Sequence, residues 1–377
     1  MKKEDKKEDK KEAYSPFKVV HHMDMIDQLR NGEQPVPSQV QLVISDVCNH
    51  DCSFCAYRMS GYTSNQNFGI LDEQSQQIEN NPNRKIPYEK CIEILEDCKE
   101  MGVKAIQFTG GGEPTTHPDH PKIFQKVIDL GMDLALITNG AILKPDVIDT
   151  LVHAKWVRVS VDAGTPEMYS HIRSIKKERF NDTLKNISRL VDAKAKSTDT
   201  DLLVGVGYVV DQNNFGEIYK FAKIASELGV DNMRIGAIFT PKGFEYHRGY
   251  HADVVEQVHR IKEDFQSDTF TIFDAFNDRI DDLVHESPDY SNCGYMHFDT
   301  YIGGDLKVYS CCNNAYSTHG EMGSINNQSF KEFWNSDEKK LAYNSLKASD
   351  CERCMFNAKN KFINYLLTED PVHVNFV

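Results

Sequence analysis

The octapeptide CNHDCSFC at residues 48–55 decides how the rest of the chain is interpreted. It follows a short apolar run at 40–44 and opens a long polar loop. The thiolates of Cys48, Cys52 and Cys55 can bind three irons of a 4Fe-4S cube from one loop. The fourth iron then has no protein ligand and can bind a small molecule directly, as the open position of a catalytic zinc site does. The spacing therefore predicts a catalytic iron-sulfur cluster.

Two other interpretations fit a loop with three cysteines. Zinc knuckles also use thiolates, and reduced cysteines pack in cores as small hydrophobes. Zinc sites usually join a C-x2-C pair to a second pair, whereas the next cysteine here is Cys91. The spacing favours the cluster over both alternatives.

The composition argues against several classes of protein. The chain has 377 residues, of which 40% are hydrophobic, enough for one large domain and a smaller one. Its formal net charge of -14 disfavours nucleic acid or an anionic membrane as the main partner. No apolar run reaches the ~18 residues of a membrane span, and no signal peptide is predicted. We therefore expect a cytoplasmic protein whose ten cysteines serve metal or cluster ligation rather than disulfides.

Apolar strands and amphipathic helices alternate from residue 40, which is typical of βα units around a parallel sheet. The predicted strands are 40–45, 105–109, 133–138, 156–162, 202–210 and 233–239. The predicted helices are 88–101, 121–130, 145–153, 181–194, 215–228 and 253–265. Six such units form a partial (β/α)6 TIM-like barrel of the α/β class, whose chemistry is expected at the carboxyl ends of the strands.

Polar motifs stand at those strand ends. The octapeptide follows strand one, and the long polar segment 58–85 after it is predicted as a lid, although a disordered insertion fits equally well. The motif GGGE at 110–113 ends strand two, and glycines there let a ligand approach the backbone. Strand four places Ser160 and Asp162 on one face, because side chains alternate along a strand. Polar side chains on an inner face need polar partners.

With these motifs the sequence resembles the radical SAM superfamily. In that family the open iron binds the amino and carboxylate groups of S-adenosylmethionine (SAM). Reductive cleavage of SAM gives a 5′-deoxyadenosyl radical, which abstracts hydrogen from the substrate. One departure is that the glycine following the aspartate directly in the family stands one position later here, at Gly164.

The resemblance implies contacts to SAM. In the family the Gly-Gly-Glu motif holds the amino group, a serine and a following arginine contact the ribose or carboxylate, and the fifth strand passes the adenine. A surface salt bridge is the alternative role of Arg173, and helix packing would also explain the glycines of strand five. The SAM-binding residues implied are Gly110, Gly111, Gly112, Glu113, Ser160, Asp162, Arg173, Val206 and Tyr208.

Cysteines return near the C-terminus, at 293, 311, 312, 351 and 354. Four thiolates complete either a zinc ribbon or a closed cluster. The runs KVYSCC at 307–312 and CERC at 351–354 resemble the SPASM and Twitch extensions of radical SAM enzymes, which bind auxiliary 4Fe-4S clusters. The resemblance implies a single auxiliary cluster, with Cys312 as the alternative to Cys311. The implied ligands are Cys293, Cys311, Cys351 and Cys354.

The resemblance divides the chain into four segments. A disordered charged tail is expected at 1–14, a lead-in at 15–38, the radical SAM barrel at 39–268 and a SPASM/Twitch-like domain at 269–377. The expected cofactors are a SAM-binding 4Fe-4S cluster, an auxiliary 4Fe-4S cluster and SAM. The expected electron donor is a protein such as flavodoxin or ferredoxin.

The expected activity is hydrogen abstraction from a substrate, with net oxidation or bond formation and the auxiliary cluster as electron acceptor. A sugar, cyclitol or other small molecule is the favoured substrate, and a peptide is the alternative. An iron-sulfur electron carrier and a zinc-stabilised binding module, both without SAM chemistry, remain open. The motif at 110–113 and Ser160 disfavour a carrier, which needs no SAM pocket. The open cysteine loop disfavours the zinc module.

Overall fold

Parallel strands form the centre of the molecule. The computed structural model describes residues 13–59, 66, 68, 70–71, 77–79, 82–369, 371–373 and 375. The predicted disordered tail falls almost entirely outside these ranges, and so does much of the predicted lid at 58–85. Both of those expectations stay predictions.

The strands are close to those expected and extend beyond them. Their bounds are β1 Gln39–Leu42, β2 Ile70–Leu71, β3 Gln77–Glu79, β4 Ala105–Phe108, β5 Asp133–Thr138, β6 Trp156–Ser160, β7 Leu203–Val210, β8 Asn232–Ala237, β9 Thr271–Ala275, β10 Asp299–Ile302, β11 Lys307–Tyr309 and β12 Glu321–Ser324. Ten of them form one sheet in the order β12-β11-β10-β1-β4-β5-β6-β7-β8-β9. The pairings from β10 through to β9 are parallel, whereas β11 and β12 pair antiparallel.

The helices lie between the strands. Their bounds are α1 Met23–Arg30, α2 Tyr88–Met101, α3 His120–Asp129, α4 Pro145–Leu151, α5 Pro166–Arg173, α6 Glu178–Lys196, α7 Ile218–Glu227, α8 His251–Phe265, α9 Ile280–Val284, α10 Phe330–Trp334, α11 Asp337–Ser345 and α12 Asn357–Leu367. Short 3-10 helices occur at Pro16–His22, Pro114–Thr116, Phe215–Glu217, Gly243–Tyr246, Tyr295–His297 and Ala348–Asp350.

The predicted α/β class is confirmed, and the sheet is larger than the six predicted strands. Strand β9 pairs with β8, and β10 pairs with β1 across some 260 residues of chain. The predicted C-terminal domain therefore shares the sheet of the barrel. The boundary between 268 and 269 stays a prediction of where the repeated βα pattern ends.

Local sequence explains several boundaries. Helix α5 begins after Thr165, whose hydroxyl accepts a hydrogen bond from the Met168 amide at 3.2 Å, and Pro166 stands in its first turn. Helix α2 ends at Gly102, whose φ of 99° is the left-handed conformation that glycine adopts without strain. The Thr165 cap and Pro166 mark the start of α5, a helix that the sequence pattern did not predict.

The two faces of the sheet differ in chemistry. On β7, Val204, Val206 and Tyr208 belong to the core, and the Tyr208 ring lies 5.7 Å from that of Phe221 on α7. The opposite face, here called the inner face, carries polar residues and glycines. Its members include Gln39, Gln41, Gln107, Arg158, Ser160, Gly205, Gly207 and Arg234. Apolar residues such as Ile137, Leu203 and Phe273 share this face. Its polar members need polar partners, which a ligand could provide.

The lead-in folds onto the C-terminal helix. Arg30 of α1 donates to the Leu366 carbonyl at 2.6 Å and 3.1 Å, and Ile26 is buried beside Ile363 of α12. Helices α1 and α12 therefore pack on each other through both a hydrogen-bonded arginine and apolar side chains. Among the described residues, no helix is both long and apolar enough to cross a membrane.

We expect Asn214 to be a stabilising residue at the carboxyl ends of β6 and β7. It is fully buried, donates to the carbonyls of Asp162 and Val209, and accepts from the Asp211 amide. Asn214→Ala should lower the free energy of unfolding by about 2 to 4 kcal/mol, because buried polar groups lose their partners. Urea unfolding measures this. The exposed neighbour Gln212 is the control: Gln212→Ala should cost no more than about 0.5 kcal/mol, and equal effects would contradict the expectation.

Candidate metal centres

The cysteine loop is anchored by α5 at the carboxyl end of the sheet. The amide of Asp51 donates to the Arg173 carbonyl at 3.2 Å, and that of Ser53 donates to Ile172 at 2.9 Å. The Cys55 amide donates to the Cys52 carbonyl at 3.1 Å, which makes the tight turn that a C-x2-C spacing needs. The loop is therefore held by main-chain bonds from a helix end.

Arg173 links this loop to β6. Its guanidinium is 4% exposed, pairs with the Asp162 carboxylate, and lies 3.5 Å from the Cys52 sulfur. Asp162 also accepts from the Val209 amide at 2.6 Å and adopts a φ of 61°, a left-handed conformation that aspartate tolerates. The surface salt bridge considered for Arg173 is wrong, because this pair is buried.

A second arginine, Arg58, supports the loop from the other side. Its Nη1 donates to the His50 carbonyl at 2.6 Å and to Asp51 at 3.4 Å. Burial, followed by the charges of Arg173 and Arg58, lowers the pKa of His50 to about 3. The imidazole is thus neutral.

The three thiols of the loop share one electrostatic environment. Burial raises the pKa of Cys48 to about 11, with Glu113 and Cys52 as further causes. Burial raises the pKa of Cys55 to about 12, and both other thiols of the loop contribute. The thiols of Cys48 and Cys55 are therefore protonated without a metal, and a metal displaces the proton because a coordinated thiol deprotonates.

The glycine motif packs directly on the start of the cysteine loop. A Cβ added to Gly112 would lie 2.2 Å from the Val47 carbonyl oxygen, and one on Gly111 would lie 2.3 Å from Asp46. The Glu113 amide donates to the same Val47 carbonyl at 2.9 Å. These glycines are needed for close backbone contact with the loop, whatever else they bind.

Glu113 is engaged within the protein. One carboxylate oxygen accepts from Thr115 and from the Thr138 hydroxyl at 2.6 Å, and the other accepts from the Asn139 amide at 2.7 Å. Burial raises its pKa. Asn139 in turn donates to Asn49 of the cysteine loop at 2.7 Å. Glu113 therefore positions the turn at 138–140 rather than presenting a free carboxylate.

Val206 and Tyr208, expected to contact SAM from the fifth predicted strand (β7), do not lie on the inner face. Val206 and Tyr208 point into the core, and the Tyr208 hydroxyl donates to the Asn214 carbonyl at 2.7 Å. A ligand on the inner face meets Gly205 and Gly207 instead, because alternate residues face opposite sides. Ser160 does lie on the inner face, half-buried. A Cβ added to Gly207 would be 3.8 Å from its hydroxyl oxygen.

The C-terminal thiols form a second group with polar donors around it. The sulfur of Cys351 accepts from Asn314 at 3.2 Å and lies 3.3 Å from His319 Nε2. The sulfur of Cys354 accepts from the Phe356 amide at 3.4 Å and from Asn360 at 3.7 Å. Hydrogen bonds to sulfur stabilise thiolates and tune cluster potentials.

The two adjacent cysteines have different neighbours. Burial raises the pKa of Cys311, and the thiols of Cys312, Cys293 and Cys354 are further causes, in that order. Cys312 instead senses Asp299, Gln41 and Arg279, and burial raises its pKa to about 12. Its sulfur lies 3.9 Å from that of Met355. These surroundings place Cys311 with the other C-terminal thiols and Cys312 toward the inner face.

Tyrosines connect the two groups of thiols. Tyr316 donates to Asp46 and accepts from the Gly304 amide, while Arg84 donates to Asp46 at 2.8 Å. Burial raises the pKa of Asp46 to about 6. The hydroxyls of Tyr57 and Tyr301 lie 3.2 Å apart. These polar links escaped prediction because each joins residues far apart in sequence.

Within the described ranges, no three His, Cys, Asp or Glu side chains come together as ligands of one metal ion. The two groups of thiols are therefore identified from the hydrogen bonds to their sulfurs and from the charged groups around them.

Two family models match the chain. The model of the radical SAM superfamily matches residues 42–222, and that of the SPASM iron-sulfur cluster-binding domain matches 293–355. The chain belongs to the radical SAM superfamily. Radical SAM domains bind a 4Fe-4S cluster and SAM, and SPASM domains bind auxiliary iron-sulfur clusters.

Curated relatives match at low identity. A probable GTP 3′,8-cyclase of Saccharolobus islandicus is 25% identical over 198 residues, covering 52% of this chain and 55% of that protein. The antilisterial bacteriocin subtilosin biosynthesis protein AlbA of Bacillus subtilis is 23% identical over 337 residues, covering 86% of this chain and 65% of that protein. The chain spans little more than half the length of the cyclases it matches.

Solved structures share the fold. SuiB of Streptococcus suis bound to the precursor peptide SuiA superposes with a TM-score of 0.60 at 12% identity, covering 95% of this radical SAM protein and 80% of SuiB. The protein anSMEcpe with bound AdoMet has a TM-score of 0.54 at 15% identity, covering 87% and 96%. The predicted radical SAM partial barrel is thereby confirmed as the fold class.

The residues present fit both implied clusters. Half-buried thiols, with the buried Cys311, would provide the ligands, and N–H donors directed at sulfur lie beside Cys351 and Cys354. Arg173 places a positive charge beside Cys52, which favours the thiolate that iron requires.

We expect iron content to identify the C-terminal ligands. The reconstituted protein should hold about eight irons, and the variant lacking Cys48, Cys52 and Cys55 about four. In that background Cys312→Ser should retain the remainder, whereas Cys311→Ser should lose it, because the surroundings of Cys311 include Cys293 and Cys354. Analysis of iron, sulfide and zinc in each variant measures this outcome. One zinc without sulfide would instead indicate a structural ribbon.

Proposed function

We propose that this protein is a radical SAM enzyme that abstracts hydrogen from its substrate and completes a net oxidation or a bond formation. The observation that carries the proposal is the cysteine loop, held between Arg173 and the glycine motif at the carboxyl ends of parallel strands. When bound, the clusters and SAM supply a 5′-deoxyadenosyl radical and an acceptor for the electron that a net oxidation releases.

The chain's own residues position and enclose this chemistry. Arg173 and Arg58 fix the loop, and Glu113 holds the turn at 138–140 against it. Ser160 presents a hydroxyl at the end of β6 on the inner face. A ligand at this edge would lie beside that hydroxyl and over the glycines of β7. Flavodoxin or ferredoxin is the proposed class of electron donor.

A peptide is the substrate class that the relatives favour. AlbA, named for bacteriocin biosynthesis, matches both the radical SAM and the SPASM segments, whereas the cyclases match 52% of this chain. SuiB was solved with a precursor peptide. A sugar, cyclitol or other small molecule, favoured on the sequence alone, is the second candidate. Activity on peptides encoded beside the gene would separate the two classes.

The reduced, reconstituted protein is expected to convert SAM into 5′-deoxyadenosine and methionine. The variant with Cys48, Cys52 and Cys55 changed to Ala should form neither product, because no ligand remains to hold a cluster that binds SAM. Chromatography of the quenched reaction quantifies both products. Cys91→Ala, which removes a core thiol on α2, is the matched control and should retain cleavage. Continued 5′-deoxyadenosine formation by the triple variant would refute the proposal.

Ser160 and Arg173 are expected to support SAM affinity. Ser160→Ala should weaken SAM binding roughly tenfold with iron content unchanged, the effect of one lost hydrogen bond. Arg173→Lys should weaken it as well, since a lysine cannot keep the planar contacts of a guanidinium. Calorimetry on the reconstituted protein measures both, with the exposed Ser349→Ala as control. Unchanged affinity in both variants would show that SAM lies elsewhere.

A further inference from the structure

Two arginines face each other across β7 on the inner face. Arg158 stands on β6 and Arg234 on β8, and the β7 residues paired with them are Gly205 and Gly207. A Cβ added to Gly207 would lie 3.7 Å from Arg158 Cδ, and one added to Gly236 would lie 3.0 Å from Arg234 Nη1. A Cβ added to Gly205 would lie only 2.4 Å from Asn232 Oδ1, so the Asn232 side chain covers that glycine. The room above β7 is therefore at Gly207, with a guanidinium on either side.

These two positive charges are not neutralised within the described part of the chain. No ion pair there joins Arg158 or Arg234 to a carboxylate. The charge of Arg158 does act on Asp162, but that carboxylate is paired with Arg173. Asp299 accepts from Gln41 and Tyr295. Burial, and then the charges of Arg158 and Arg279, lowers the pKa of Arg234 to about 9. An anion between the arginines would relieve this repulsion.

A phenol adds a third donor to the pair. Arg158 Nη1 donates to the Tyr14 hydroxyl oxygen at 3.2 Å, and the Arg234 guanidinium lies 5.5 Å from the centre of the Tyr14 ring. Because that oxygen accepts from Arg158, its own hydrogen remains available for donation. Tyr14 is 42% exposed, so this group of donors can be reached from solvent.

We propose that Arg158, Arg234 and Tyr14 form a subsite that binds an anionic group of the substrate, a carboxylate or a phosphate. Guanidinium groups bind both with paired hydrogen bonds. The subsite rests on the proposed function for its role in catalysis. Ser160 lies two residues further along the same face of β6, about 7 Å away. A substrate held by its acid group would therefore extend toward the strand ends, where the cysteine loop lies.

The test uses inorganic phosphate as the probe on the reconstituted protein. The melting temperature is followed against phosphate concentration, with sodium chloride at equal ionic strength as the reference. The wild type should show a saturable rise, and Arg234→Met should weaken the apparent affinity at least tenfold. Tyr14→Phe keeps both charges and should weaken it severalfold. Arg179→Met, which removes an exposed arginine with a side chain 63% accessible, should behave as wild type.

Two results would overturn the subsite. One is the absence of a saturable rise in the wild type, and the other is an affinity for phosphate that Arg234→Met and Tyr14→Phe leave unchanged. If Arg234→Met does not fold, Tyr14→Phe and Arg158→Lys decide the question by the same criterion. Binding is measured without SAM or reductant, so a failure of SAM cleavage would refute the proposed function and leave this result standing.

A second set of probes separates the sources of the anion. Acetate and triglycine with a free carboxylate are compared with triglycine amide, each at the same ionic strength. Stabilisation by the free acids but not the amide supports a carboxylate, as a peptide end would provide. Stabilisation by phosphate alone supports a phosphorylated substrate.

Discussion

The buried ion pair between Arg173 and Asp162 is the contact on which the site depends. It joins the end of α5 to the end of β6, and the same Arg173 lies beside the Cys52 sulfur. Removing one partner of a buried pair leaves an uncompensated charge, which costs about 3 to 5 kcal/mol. The cysteine loop, the carboxyl end of β6 and the start of the β7 turn are thus held by one interaction. Asn214 supports this contact by donating a hydrogen bond to the Asp162 carbonyl.

The regular part of the fold could be predicted because its signals are local. Six strands and six helices repeat apolar runs of strand and helix period, and the structure forms all of them with small shifts in their bounds. Strands β9 and β10 carry no such signal. The first, Thr271–Ala275, is short and breaks the polar and apolar alternation, because Phe273 follows Ile272 and Asp274 takes a buried position. The second pairs with β1 across some 260 residues. Pairing at that separation is decided by tertiary packing, which no window of sequence contains.

The candidate site likewise has features that the sequence predicts and features that depend on the fold. The cysteine ligands of the loop could be predicted from their spacing, because three thiolates that bind one cluster from a single loop lie close together in the sequence. The face of a strand residue does not follow from a motif, and Val206 and Tyr208 were expected to meet a ligand although they pack on α7. Alternation of side chains along the strand could have shown that Gly205 and Gly207 share the inner face. In the structure these two glycines pair with Arg158 and Ser160 of β6. Glu113 was likewise identified by its motif, whereas its hydrogen bonds to Thr138 and Asn139 depend on the fold.

Helix packing and ligand binding make opposite demands on alternate residues of each strand. The helices require Val157, Val204 and Ile235 on one face. The inner face is not bound by that demand, and beside branched residues such as Ile137 and Leu203 it carries arginine, glutamine and glycine. Uncompensated guanidiniums on such a face are unfavourable without an anion, since burial penalises their charge. The proposed subsite meets this need, because an anionic group of the substrate would supply the negative charge between Arg158 and Arg234.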